Sequence, residues 1–145
     1  MMKSIGIVGF GAIGKALVQA AEGGKLSVRI AGVTSRGEKN ARDLLAAFKN
    51  PPPYLSLDEL VRASDLVVEA AGGNVVAELA KKVFAAGKDL MVISVGALLD
   101  HADIIAESRR TGCRLYVPSG AIARLDNCGD ITVESTRAQP DHWQS

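Results

Sequence analysis

Ten residues near the amino terminus constrain this chain more than any others: Ile5-Gly6-Ile7-Val8-Gly9-Phe10-Gly11-Ala12-Ile13-Gly14. A short apolar run of strand type ends in Gly9-x-Gly11-x-x-Gly14, and a helix-type segment follows at once. Strand, then glycine turn, then helix is the setting in which this spacing seats a dinucleotide. Gly9 permits the tight turn, Gly11 leaves no side chain between backbone and pyrophosphate, and Gly14 lets the helix pack closely on the strand. The helix then aims its free amides and positive dipole end at the phosphates. The plainer reading is a purely structural turn. The position after Val/Ile and before a helix favours the nucleotide, with Gly9, Phe10, Gly11, Ala12, Ile13 and Gly14 around the pyrophosphate.

The next segments decide the fold. Ile13, Ala16, Leu17, Ala20 and Ala21 recur at helical spacing, and Gly23-Gly24 ends that helix. Val28–Thr34 reads as a second strand. Ala41, Leu44, Leu45 and Phe48 form another amphipathic helix, stopped by Asn50-Pro51-Pro52-Pro53, which cannot continue one and reads as a stiff loop. Tyr54-Leu55 reads as a short strand, and Ser56-x-x-Glu59 as a capping box opening a brief helix through Ala63. Leu66-Val67-Val68 is an apolar strand of the kind buried on both faces of a parallel sheet. Val76, Leu79, Ala80, Val83 and Phe84 give a helix closed by Gly87, and Leu90–Ser94 another buried strand. Asp100 can cap a helix through Arg110, ended at Gly112, and Leu115-Tyr116-Val117 is a further strand. This regular alternation predicts an α/β fold, a doubly wound parallel sheet of the Rossmann type.

The glycine turn also locates the ribose site. In NAD-selective sites an acidic residue about 20 positions beyond the fingerprint takes the ribose 2′-hydroxyl. That count lands on Thr34-Ser35-Arg36, which has no carboxylate. Two small hydroxyls and a guanidinium suit a 2′-phosphate, since Arg binds phosphate bidentately. Ser35 and Arg36 therefore favour NADP(H). Glu38 close by keeps NAD(H) open, and Arg36 as a solvated loop charge is the bland alternative. Ligands of open α/β sheets bind outside the carboxyl ends of the strands, where Ala70, Ala71 and Gly72 would let a ribose or nicotinamide approach the backbone. Glu69 reads equally as a cap for the next helix or as a direct participant.

Bulk properties exclude other classes. With net charge +1 and both signs interspersed, no electrostatic argument favours nucleic acid or an anionic membrane. Apolar runs are short and broken by glycine, so none reads as a membrane span. The first strand begins almost at the amino terminus with no signal peptide ahead of it, which suits the cytoplasm. Cys113 and Cys128 lack metal-ligand spacing and neighbouring bases, and read as inert free thiols; no metal site is expected.

Several strings together resemble the L-aspartate dehydrogenase family. They are Glu69-Ala70-Ala71, Met91-Val92-Ile93-Ser94-Val95-Gly96-Ala97-Leu98, and Tyr116-Val117-Pro118-Ser119-Gly120-Ala121-Ile122 followed by Leu125-Asp126. The resemblance runs from the fingerprint to about Asp126. It implies oxidation of L-aspartate to iminoaspartate with NAD or NADP, the imine hydrolysing to oxaloacetate and ammonia or feeding nicotinamide-dinucleotide synthesis. By position it implies that Gly9–Gly14 hold the pyrophosphate and that Ser35 and Arg36 meet the adenosine ribose. Ala70–Gly72 would lie along the cofactor, and Ser119, Gly120 and Ala121 would line the nicotinamide end.

The family continues with a second domain carrying a catalytic histidine, an asparagine near the cofactor and most substrate contacts. Residues 1–126 then read as the dinucleotide-binding domain. Residues 127–145 read as a vestige of the second domain or a tail, in which Ile131–Thr136 resembles its first strand. Arg124 stands where the family usually has a small residue. His142 near the carboxyl terminus and His101 beside Asp100 have no evident partners, so no catalytic residue is assigned. Two readings stand side by side: an aspartate-dehydrogenase-type oxidoreductase, and a non-catalytic NADP(H)-binding module without a general base. Ile131–Thr136, as an orphan strand with an open edge, would pair with the same strand of a second copy to form a homodimer.

Overall fold

A computed structural model describes residues 3–94, 102–118 and 133–135. In chain order they form β1 (Lys3–Val8), α1 (Ala12–Glu22), β2 (Val28–Thr34), α2 (Glu38–Leu45), α3 (Leu57–Ala63), β3 (Leu66–Glu69), a 3₁₀ turn (Gly73–Val75), α4 (Val76–Ala85), β4 (Asp89–Val92), α5 (Ala102–Thr111), β5 (Leu115–Pro118) and β6 (Val133–Ser135). One sheet holds all six strands in the order β2-β1-β3-β4-β5-β6. The first five are parallel. The order steps outward in both directions from β1 and β3, so the expected doubly wound sheet is present.

Alternation along the strands builds two cores. Ile7, Leu66 and Val68 face α1 and α2, where they meet Leu17, Val18, Ala41 and Leu45. Val8, Val67, Leu90 and Leu115 face the opposite side, where α3, α4 and α5 contribute Leu60, Val83, Phe84 and Ile104. Successive residues of one strand thus serve opposite layers, as a sheet covered on both faces requires. Phe48 lies beyond the end of α2 yet packs on the same core, its ring 6.4 Å from that of Phe10.

Local signals act where the sequence places them. Ser56 and Glu59 close a reciprocal capping box, each accepting at 3.2 Å from the other's backbone amide. The bond with the Ser56 side chain and then that with its backbone hold the Glu59 carboxyl below its ordinary range. At the end of α5, Arg110 pairs with Glu107 one turn back and lowers that carboxyl in the same way. The three prolines run beside β2: Val33 donates to the Pro53 carbonyl and accepts from Leu55, so Tyr54 forms a single parallel bridge rather than a strand.

One expectation is corrected. The strand within Ile131–Thr136 is not an orphan: Val133–Ser135 pairs antiparallel with β5 of the same chain, Val133 opposite Pro118 and Ser135 opposite Tyr116. One edge of β6 is therefore taken by β5, and β6 is itself the last strand of the sheet among the described residues. The expected boundary near residue 126, together with Asp100, His101, Arg124, Cys128 and His142, lies outside the described residues.

Candidate functional site

The carboxyl ends of β1, β2 and β3 meet at a cleft of about 220 Å³. Its floor is Val8 and Gly9 from β1 and the turn after it. Thr34, Ser35 and Arg36 form one wall, and Ala71, Val75, Glu78, Leu79 and Lys82 the other. A more apolar cavity of about 280 Å³ opens on the sheet near the strand beginnings, lined by Ile5, Leu26, Val28 and Tyr116. Strand ends, not beginnings, carry the ligands of such sheets.

The glycine turn is built from three different constraints. Gly9 has φ +97°, and its amide donates to the Thr34 carbonyl at 2.7 Å, tying the end of β1 to the end of β2. A Cβ on Gly9 would lie 2.6 Å from Ala71 Cα and 2.7 Å from the Ala70 carbonyl group. The loop after β3 therefore presses directly on the turn. A Cβ on Gly14 would lie 2.5 Å from the Gly9 carbonyl oxygen, so the close packing expected there is real. Gly11 differs: nothing lies within 4 Å of its Cβ position. It is the N-cap of α1, with no side-chain cap and no acidic residue in the first turn. The first amides of α1 thus face open space, a cradle that any side chain at Gly11 would begin to fill. Ala12 is exposed and Ile13 half-buried, whereas Phe10 turns its ring into the core.

The end of β2 is polar and held from below. Tyr54 Oη donates to the Ser35 carbonyl at 2.6 Å and accepts from the Ser35 amide at 3.2 Å, fixing the turn into Arg36. The Arg42 guanidinium sits 5.2 Å from the Tyr54 ring centre and pairs with Glu38 at 2.7 Å. That pairing commits Glu38, the one acidic residue near the turn, to α2. Arg36 is exposed and has no hydrogen-bond or ion-pair partner among the described residues. Across the cleft, Lys82 reaches Asp58 at 3.3 Å, an exposed pair.

The end of β3 is built in the opposite way. Glu69 is fully buried. Its Oε2 accepts from the amides of Ala71 at 3.0 Å and Gly72 at 2.8 Å, and from Ser94 Oγ at 2.9 Å. Its Oε1 accepts from the amides of Ile93 at 3.1 Å and Ser94 at 2.9 Å. It caps the turn leading into α4, as one sequence reading has it, and also binds the end of β4. Gly72, at φ +108°, completes that turn.

The structure therefore brings Gly9–Gly14, Ser35, Arg36 and Ala70–Gly72 to one edge. Ser119, Gly120 and Ala121 lie outside the described residues. Tyr54, Glu78 and Lys82 were missed from the sequence. Val75 just before α4, and Glu78, Leu79 and Lys82 within it, follow i, i+3, i+4, i+7 spacing, which marks one helix stripe but not that a cleft faces it. Cys113, read as inert, is buried with its Sγ 3.8 Å from the Phe84 carbonyl. Among the described residues no cluster of potential metal ligands occurs, and no helix is long and apolar enough to cross a membrane.

Residues 9–118 match the family model described as the NAD-binding domain of homoserine dehydrogenase. The chain belongs to that family. As such an NAD-binding domain, it has a nicotinamide dinucleotide as its cofactor, in keeping with the open cradle at Gly11. The resemblance to L-aspartate dehydrogenases is also borne out. The chain is 36% identical over 129 residues to the L-aspartate dehydrogenase of Methanosarcina acetivorans, covering 86% of this chain and 48% of that protein. It is 40% identical over 130 residues to that of Methanocella arvoryzae, covering 86% and 47%. The chain thus spans about half the length of the curated relatives it matches. Among solved structures, the WlbA dehydrogenase from Bordetella pertussis in complex with NADH and UDP-GlcNAcA superposes with TM-score 0.68 at 21% identity, covering 88% of this chain and 40% of that one. A homoserine dehydrogenase from Thiobacillus denitrificans gives 0.66 at 19% identity, covering 79% and 29%. These two show the NAD-binding domain's fold.

Proposed function

We propose that this domain is the cofactor-binding part of an L-aspartate-dehydrogenase-type oxidoreductase and that it takes NADP(H) in preference to NAD(H). The observation that carries the cofactor choice is the end of β2, where Arg36 is unengaged among the described residues and the neighbouring Glu38 is tied to Arg42. A ribose 2′-hydroxyl asks for a carboxylate at this place, whereas a 2′-phosphate asks for a guanidinium and small donors. Ser35 and Arg36 supply the second set. Gly9, Gly11 and Gly14, with the backbone of Phe10, Ala12 and Ile13, would seat the pyrophosphate at the start of α1. Ala70, Ala71 and Gly72 would lie along the dinucleotide, and Ser119, Gly120 and Ala121 at its nicotinamide end.

The identity to L-aspartate dehydrogenases supports the activity. When bound, the nicotinamide supplies the hydride acceptor, and the protein supplies orientation and electrostatics. L-Aspartate would lose a hydride from its α-carbon and a proton from its ammonium group, leaving iminoaspartate, which water converts to oxaloacetate and ammonia. The residues named here bind and orient the cofactor; none is assigned as the base. The second reading is a module that holds the dinucleotide without turning over. One assay separates them: NADPH and NADH oxidation by the 145-residue chain with oxaloacetate and ammonium, with binding followed by nucleotide fluorescence. Turnover supports a dehydrogenase complete within these 145 residues, binding without turnover leaves them the cofactor-holding part only, and absence of binding overturns both readings.

A further inference from the structure

Glu69 does more than a capping carboxylate needs to. Five donors converge on it, from two separate strand ends: Ala71 and Gly72 after β3, and Ile93 with both the amide and the hydroxyl of Ser94 after β4. Each carboxylate oxygen takes at least two of them, so both must act as acceptors. Only the acceptor-only carboxylate does this; an amide of the same shape would turn two hydrogens toward donors. Nothing in the fold of β3 itself requires such a group, since Val67 and Val68 before it are held by pairing with β1 and β4 and by packing on their two faces.

The consequence reaches the glycine turn. The loop that Glu69 gathers is the one whose Ala70 and Ala71 backbone stands where a Gly9 side chain would be. Ala70 is also fixed from the other side, its amide donating to the Val8 carbonyl at 2.8 Å. Glu69 thus sets how far the Ala70–Gly72 backbone leans over Gly9, and ties that height to Ser94 just after the neighbouring strand β4.

We propose that Glu69 is a positioning residue for the dinucleotide: its buried carboxylate locks the loop after β3 to the end of β4, so that the two strand ends form one rigid wall of the cofactor site. The proposal rests on the dinucleotide reading of this edge. Because the wall stands across the cleft from Ser35 and Arg36, it serves the part of the dinucleotide common to NADH and NADPH.

The test is Glu69→Gln in the 145-residue chain, titrated with NADPH and with NADH well below the melting temperature, alongside amide hydrogen exchange. Both dissociation constants rise by the same factor, about tenfold, because at least one amide pair is left facing a donor. The preference between the two nucleotides is unchanged, and the amides of Ala71, Gly72, Ile93 and Ser94 exchange faster. A variant with a lower melting temperature but unaltered dissociation constants shows a role in the fold alone and overturns the proposal. Ser94→Ala removes only the hydroxyl donor and serves if Glu69→Gln does not fold. It weakens both nucleotides about twofold to threefold and speeds exchange at Ala71 and Gly72, on the opposite arm. Unchanged binding and exchange in Ser94→Ala also overturn the proposal. A wild-type chain that binds neither nucleotide overturns the reading of the site and the role of Glu69 with it, whereas binding by wild type and an equally good Gln variant overturns the role alone.

Discussion

Two strand ends border the same cleft and handle charge in opposite ways. At the end of β2, Arg36 is exposed and unengaged among the described residues, on a turn held rigid by Tyr54 from beneath. At the end of β3, Glu69 is sealed from water and accepts five hydrogen bonds from its own chain. One charge is left available to a ligand, and the other is consumed in shaping the backbone that a ligand meets. A charged residue at a strand end is therefore not evidence of ligand contact by itself; what already occupies its hydrogen-bonding capacity decides.

The largest break of this contrast comes from deleting the two charges. Glu69→Ala leaves four donors without their acceptor, the Ile93 amide keeping the residue-69 carbonyl at 3.2 Å, and lowers stability by roughly 3 kcal/mol or more, read by urea denaturation. Arg36→Ala leaves stability within about 0.5 kcal/mol, as for an exposed side chain without partners. Equal losses in the two variants would erase the distinction.

The glycine turn sharpens the contrast next. Gly14→Ala forces a Cβ against the Gly9 carbonyl and costs on the order of 2 kcal/mol, a fall of several degrees in melting temperature. Gly11→Ala meets no protein atom, so its melting temperature stays near wild type while dinucleotide affinity falls about tenfold. Calorimetry with a nucleotide titration checks both. Arg36→Ala should then weaken NADPH about tenfold and leave NADH within about twofold. Tyr54→Phe, which loosens the turn without touching a charge, should narrow the NADPH preference by a smaller factor, about threefold.

The sequence carried the fold through its apolar periodicity and its punctuation. Leu66–Val68 is apolar throughout because it serves both cores, and α1, α4 and α5 stop at the glycines that end their patterns. The turn at Gly9–Gly14 was legible because each glycine answers a distinct steric demand. Tyr54 was not, since its hydroxyl reaches Ser35 only after the proline loop brings residue 54 alongside β2. Lys82 and Glu78 looked like ordinary polar positions of α4, and only the cleft on their side gives them another meaning. The second strand end bound by Glu69 was invisible for a related reason: Ser94 is 25 residues away, joined to it by strand pairing and not by spacing. Within Ile131–Thr136 the strand's neighbour was invisible too, because β5 is joined to it by sheet pairing and not by spacing.

The smallest expected effect concerns acid. Glu59 has its carboxyl lowered chiefly by the Ser56 hydroxyl, so its contribution is present above the ordinary carboxylate range and is lost as pH falls through the lowered value. Glu59→Gln should flatten the acid limb of a pH–stability curve slightly and leave dinucleotide binding unchanged. An altered affinity would show that α3 bears on the cleft more directly than its exposed capping box implies.

The most direct measurement is a paired titration of the 145-residue chain with NADPH and NADH, followed by calorimetry at fixed ionic strength. Binding of both with NADPH tighter by about tenfold, and loss of that difference in Arg36→Ala, is what a free guanidinium at the end of β2 predicts. Equal or tighter binding of NADH by the wild-type chain would contradict it.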